Sequence, residues 1–191
     1  TGDDDGTVRL WRMPGGDLKA ALRGHEGGVR VLGFSPNGKV IAAGGSRNLY
    51  LSDAATGDPL ATLPAPDSSL DALAFSPDGQ TVAAGGWQRV YLWDVQRRSE
   101  RAVLRVAPMS ASCLAFHPTG RLLLVGGSDK AELWEVAGAK PRSRHRWESG
   151  CACAAAFSPD GASVMVAGQD GKARIWHNQT GKLTATVEKE E

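Results

Sequence analysis

The stretch FSPDGQTVAAGGWQRVYLWD, residues 75–94, decides the fold, because both of its ends return along the chain at a fixed interval. Its opening reappears as FSPNG, FHPTG and FSPDG, so that Phe34, Phe75, Phe116 and Phe157 stand 41, 41 and 41 residues apart. Its closing VYLWD is answered by VRLWR, LYLSD, AELWE and ARIWH, which place Trp11, Ser52, Trp93, Trp134 and Trp176 in one slot at steps of 41, 41, 41 and 42. A period of about 40–45 residues identifies one supersecondary unit repeated in space, and single residues have to be read in that frame.

Within a period the pattern is four short strands. LDALAF (70–75) ends at a Ser-Pro-Asp-Gly turn, where Pro77 presets φ and Gly79 accepts a positive φ. TVAAGG (81–86), RVYLWD (89–94) and ERAVLRV (100–106) follow. Short segments rich in Val, Leu, Tyr and Trp, bounded by Gly, Pro or Asp, predict an all-β chain. The first strands are apolar on both faces: opposite the four phenylalanines lie Val31 and Gly33, Ala72 and Ala74, Cys113 and Ala115, and Ala154 and Ala156. Such a sheet is covered on both sides, and small residues let the neighbouring sheet come close. A ring of four-stranded sheets, each between two neighbours, meets both conditions.

Composition sets wider bounds. The 191 residues are 41% hydrophobic and 23% charged with a formal net charge of +1, so no strongly electrostatic partner is implied. No apolar run approaches the roughly 18 residues of a membrane-crossing helix, and the chain begins at Thr1 without Met or a signal-like segment. Cys113, Cys151 and Cys153 are an odd set, which suits a reduced, cytoplasmic setting. Arginine outnumbers lysine and alanine is abundant, which points to a G+C-rich, bacterial coding source.

The repeated residues resemble the WD-repeat β-propeller family, in which each repeat runs from a Gly-His pair to a Trp-Asp pair. Here Gly24-His25 opens a repeat and Trp93-Asp94 closes one. The resemblance covers the whole chain as a single array over 1–191. It implies a β-propeller of four-stranded antiparallel blades, four of them complete (about 29–63, 70–105, 111–147 and 152–188) and a partial N-terminal blade (1–23). It also implies a structural role for Trp11, Trp93, Trp134, Trp176 and the phenylalanines. The family's hydrogen-bonded set of Ser or Thr, His, Asp and Trp is nowhere complete. Asp5 and Trp11 lack their His, His25 belongs to the repeat with Ser52, and Asp170 and Trp176 have no His. Packing is therefore expected to outweigh polar networks. Because the leading blade shows only its last two strands, the chain is expected to be the C-terminal part of a longer propeller.

Candidate chemistry is sparse. No Gly-x-Ser-x-Gly elbow, His-Glu-x-x-His, P-loop or Gly-x-Gly-x-x-Gly occurs, and the Gly pairs at 44–45, 85–86 and 126–127 end second strands. DDDG at 3–6 reads as a turn with Asp5 in the family's Asp slot, not as a cation site. CAC at 151–153 reads as small buried thiols, since only His145 and His177 lie near enough to complete a zinc set. His117 and His177 stand in turn and Trp-Asp slots without a nucleophile at a meaningful spacing. Asn178-Gln179-Thr180 reads as a chance glycosylation triplet. The basic stretches 95–105 and 140–147, with Arg142, Arg144 and Arg146 on one face, read as solvated outer edges protected against pairing. Interleaved aromatics for nucleic-acid stacking are nearly absent. No catalytic residue, metal or cofactor is expected, and neither membrane nor nucleic acid is expected as a partner.

Recognition remains. Partners of the resembled family commonly dock on the loops before the first strand and between the second and third. Those loops here hold His25, Glu26, Arg47, Asp67, Ser68, Trp87, Gln88, Met109, Asp129, Glu148, Gln169 and Asp170, with Trp87 standing out because no other repeat has a Trp there. The expectation is a non-catalytic protein-protein interaction scaffold, a module of a larger protein. A ligand-binding or hydrolytic propeller of the TolB-like type is the alternative.

Overall fold

A computed structural model of the chain describes residues 1–66, 69–106, 110–138 and 140–188. Among them every regular element is a β-strand, and all pairings are antiparallel. A leading hairpin consists of β1 (Val8–Trp11) and β2 (Leu18–Leu22). It is followed by β3 (Val31–Phe34), β4 (Val40–Gly44), β5 (Ser46–Asp53), β6 (Pro59–Phe75), β7 (Thr81–Asp94), β8 (Ser99–Phe116), β9 (Leu122–Gly127), β10 (Lys130–Glu135) and β11 (Arg142–Glu148). These nine are hydrogen-bonded in chain order. The last four, β12 (Ala152–Phe157), β13 (Ser163–Gly168), β14 (Lys172–His177) and β15 (Leu183–Glu188), form a sheet of their own.

The four-strand period is visible inside the nine-strand run. Strand β6 pairs with β5 from Pro59 to Pro64 and with β7 from Leu70 to Phe75, so it closes one group and opens the next. Strand β8 does the same between β7 and β9. The sequence suggests separate short strands at these places. The chain instead passes from group to group without losing extended geometry, because the joining segments keep strand pairing, as at Ser46↔Ser69 and Trp87↔Ser110. Strand β7 carries a hairpin: Gln88 adopts φ 59°, and a Cβ at Gly85 would stand 2.6 Å from the Arg89 carbonyl and 3.0 Å from Val90 Cα.

Four apolar clusters lie between successive groups. Val8, Leu10 and Leu22 of the hairpin meet Val29, Ile41 and Ala43. Leu49, Leu51 and Leu63 meet Leu70, Val82, Tyr91 and Trp93; Val90, Leu92 and Leu104 meet Ala111, Leu123 and Val125; Leu124, Leu133 and Trp147 meet Val164, Val166 and Trp176. Burying each such leucine or valine contributes about 1.5–3 kcal/mol. Small residues set the approach distance, as the sequence suggests. A Cβ on Gly33 would stand 2.9 Å from Leu73 Cδ2 in the next group.

The repeated aromatics do not all occupy equivalent surroundings. Trp93 and Trp176 are buried, while Trp134, Phe75, Phe116 and Phe157 are half-buried. Trp11 and Phe34, expected to be structural in the same way, are 45% and 55% exposed. The cause is positional: among the described residues the leading hairpin has two strands where later groups have four, so no further sheet lies against Trp11 and Phe34. The Trp slot itself has one local geometry throughout. Each Trp strand has a register shift at that point, between Leu10 and Trp11, Leu51 and Ser52, Leu92 and Trp93, Leu133 and Trp134, and Ile175 and Trp176.

Candidate interaction surface

The turns between second and third strands of successive groups sit at one end of the strands. Arg47 and Gln88 occupy the same place in successive repeats, and both adopt φ 59°, a left-handed conformation that favours glycine. The fourth group places Gly171 (φ 77°) in its turn. Non-glycine residues in this region cost free energy locally, so the turns are held by what surrounds them. The ring of Trp87, beside Gln88, is 59% exposed.

Neighbouring residues are tied down to different degrees. Glu26 is exposed; its amide donates to the Tyr50 hydroxyl (3.1 Å), and Asn48 Nδ2 donates to its carboxylate (3.4 Å). Glu148 lies 3.6 Å from the Lys130 ammonium, and Asp129 accepts the Ser149 amide on its carbonyl. Gln169 is exposed, while Asp170 accepts from Arg174 (2.6 Å) and from the Lys172 amide (3.1 Å). Those bonds, the Arg174 one foremost, hold the Asp170 carboxyl below the usual carboxylate range. His25 points inward: its Nδ1 lies 2.9 Å from the Gly6 carbonyl oxygen, and its ring meets Tyr50 edge-on at 4.6 Å. Asp67, Ser68 and Met109 lie outside the described residues.

A cross-group ion pair escaped the sequence reading. Arg30 and Asp71 hold the same position in successive repeats, 41 residues apart, and their side chains meet at 2.9 Å. In the next repeat Ser112 takes that position and donates to the Ala152 carbonyl (2.6 Å). Opposite charges in one phase of adjacent repeats were the available signal.

The arginines of the basic outer edge are exposed, as the sequence suggests, and two of them are also paired across strands. Arg142 binds Glu135 through Nε (3.0 Å) and Nη2 (2.8 Å), and Arg146 binds Glu132 (2.5 Å). The Glu132 side chain is only 2% exposed, and its second oxygen accepts from Trp134 Nε1 at 2.9 Å. Cross-strand register puts each arginine directly opposite its carboxylate, Glu132 facing Arg146 and Glu135 facing Arg142. Two of the three arginines are thus committed to β10. The CAC thiols differ from the buried pair expected: Cys151 is half-buried and Cys153 is exposed, since among the described residues no further sheet lies against that face of β12. Burial pushes the Cys113 thiol upward, away from the reactive thiolate. Among the described residues no three His, Cys, Asp or Glu side chains come together as a metal-binding group.

No curated protein gives a significant match to the chain. The family described as WD domain, G-beta repeat, matches four times, at residues 16–53, 57–94, 104–134 and 142–177. The first two matches start just before or at the strand that closes one sheet group and end with the Trp-slot strand of the next, so the sequence unit is offset by one strand from the hydrogen-bonded unit. With most of its length matched in this repeating way, and with antiparallel four-strand groups packed face to face in the same rhythm, the chain belongs to the WD domain, G-beta repeat family.

Proposed function

We propose that the chain is a non-catalytic protein-binding module of a larger cytoplasmic, bacterial protein. In this reading it is one propeller array over 1–191, with complete blades at about 29–63, 70–105, 111–147 and 152–188 and a partial blade before them. Family membership supports a scaffold. The observation that carries the reading is Trp87, a large aromatic 59% exposed in a tight turn whose neighbour Gln88 is held at positive φ. Aromatic anchors on a fixed backbone are the residues that dominate protein interfaces, because little conformational entropy is lost when they are covered. On the corresponding loops of other groups, Arg47, Glu26, Glu148, Gln169 and Asp170 supply mixed charge that adjusts specificity and rate.

Photo-crosslinking tests the surface directly. A benzophenone side chain placed at Gln88 or Arg47 in the full-length protein in cells is expected to capture a discrete protein partner, and the same group at Arg144 on β11 is expected to capture none. Trp87→Ala should abolish capture from Arg47 while leaving the fold intact. Capture from Arg144 alone would move the binding surface to the outer edge.

A further inference from the structure

Four residues before the Trp slot, each Trp-slot strand carries a position whose cross-strand partner can be compared from repeat to repeat. Lys130 stands directly opposite Glu148, and Lys172 directly opposite Glu188. Both pairs close as salt bridges, at 3.6 Å and 2.7 Å. In the repeat of Trp93 the same place is held by Arg89, and its cross-strand partner is Arg105. The repeat before it sets Asn48 opposite Pro64, with no charge on either side. Of these four pairs only Arg89 and Arg105 set cation against cation.

That arrangement costs free energy that the fold does not require. Like charges directly opposite each other on neighbouring strands destabilise a sheet, and the repeats on either side show that the same backbone accepts a neutral or a compensated pair. Arg105 is exposed, so its guanidinium is open to a group from outside. An arginine fork matches a carboxylate with two parallel hydrogen bonds, which a lysine ammonium cannot supply. Position adds to chemistry. Arg89 directly follows Trp87 and Gln88, and Trp87 pairs with Ser110, further along the strand that carries Arg105. The two arginines therefore stand beside the exposed indole.

We propose that Arg105, with Arg89 and Trp87, recognises an acidic segment of a protein partner: a Glu or Asp carboxylate meets the arginine pair while an apolar side chain next to it covers the indole. Such recognition rests on the Trp87 turn being the interaction surface. A glutamate of the chain itself occupies the equivalent place in the two later repeats, and the partner's carboxylate takes over its part here. A nucleic-acid strand fits less well, since one indole and two arginines offer neither a stacking series nor a phosphate track.

Photo-crosslinking from Gln88 in the full-length protein in cells reads this, with the captured segment sequenced by mass spectrometry. That segment is expected to carry Asp or Glu close to the crosslink. Arg105→Glu recreates the pairing of the later repeats and so should fold, and it is expected to lower capture at least about tenfold. Arg105→Lys, which keeps the charge but not the fork, should lower it only about threefold. Should the glutamate variant melt early, Arg105→Gln, which only removes the charge, is expected to lower capture severalfold. Undiminished capture in a folded Arg105→Glu variant, with Trp87→Ala still abolishing it, would overturn the acidic partner and leave the surface in place. A captured segment without carboxylates, or nucleic acid in place of protein, would overturn it as well. If neither substitution changed capture, the turn would not be the interaction surface, and the acidic partner would fall with it.

Discussion

Two tryptophans six residues apart do opposite work. Trp93 is fully buried and stacked on Tyr91 at 5.5 Å, between the first and second four-strand groups. Trp93→Ala is expected to destabilise the fold by about 3–5 kcal/mol, and Trp87→Ala by under about 1 kcal/mol. Urea denaturation of both variants measures this, and equal losses would erase the distinction between core and surface. Glu132 makes a sharper case, because a carboxylate almost fully removed from water is stable only while its partners remain. Arg146→Leu should cost about 1–3 kcal/mol, tempered by the half-exposed position of the arginine. Adding Glu132→Leu to it should recover part of the loss, a non-additivity of about 0.5–3 kcal/mol in a double-mutant cycle. Strict additivity would mean that Glu132 is held by Trp134 alone.

The turn between first and second strands is the most regular element of the chain. Ser76 is buried; its hydroxyl donates to Asp78 Oδ1 (2.6 Å) and accepts the Thr81 amide (2.9 Å), and Gly79 closes the turn at φ 69°. Ser158 and Asp160 repeat this geometry at 2.5 Å, and Ser35 with Asn37 at 2.8 Å. Ser76→Ala is expected to cost about 1–3 kcal/mol by stranding a buried amide, whereas Ser158→Ala, in a more exposed copy, should cost less; thermal melts compare them. The turn and the positive φ of Gly79 were legible in the sequence, because turn residues act locally and the period repeats them. The unbroken passage along β6 and β8 was not, since polar residues there read as loops and only pairing across groups keeps them extended. The ion pairs of the outer edge were not legible either. Arg142 and Arg146 are exposed, and only register sets them opposite Glu135 and Glu132.

At the scale of the molecule, the two ends of the stack differ from its middle. Trp11, Met13, Leu32 and Phe34 are exposed at one end, and Met165, Leu183 and Val187 at the other. In between, the equivalent surfaces are buried against a neighbouring group. Uncovered apolar faces of this kind drive association. The isolated 191-residue chain is therefore expected to self-associate, and Phe34→Lys with Val187→Lys to shift it toward monomer without unfolding it. Sedimentation velocity over a concentration series checks both, and a monomeric parent chain would show that these faces are inert.

The constant 41-residue spacing reaches beyond folding into how such a gene can change. Positions one period apart occupy the same place in successive units, so a recombination event between them, begun at any phase, joins like to like and removes or adds one whole unit. Copy number can drift while every junction stays well formed. What resists this drift is the pairing of particular neighbours: excising one period between Arg30 and Asp71 would bring Ser112 against the guanidinium in place of the carboxylate. The ion pair thus records which unit stands next to which, and gives an otherwise interchangeable series a fixed order.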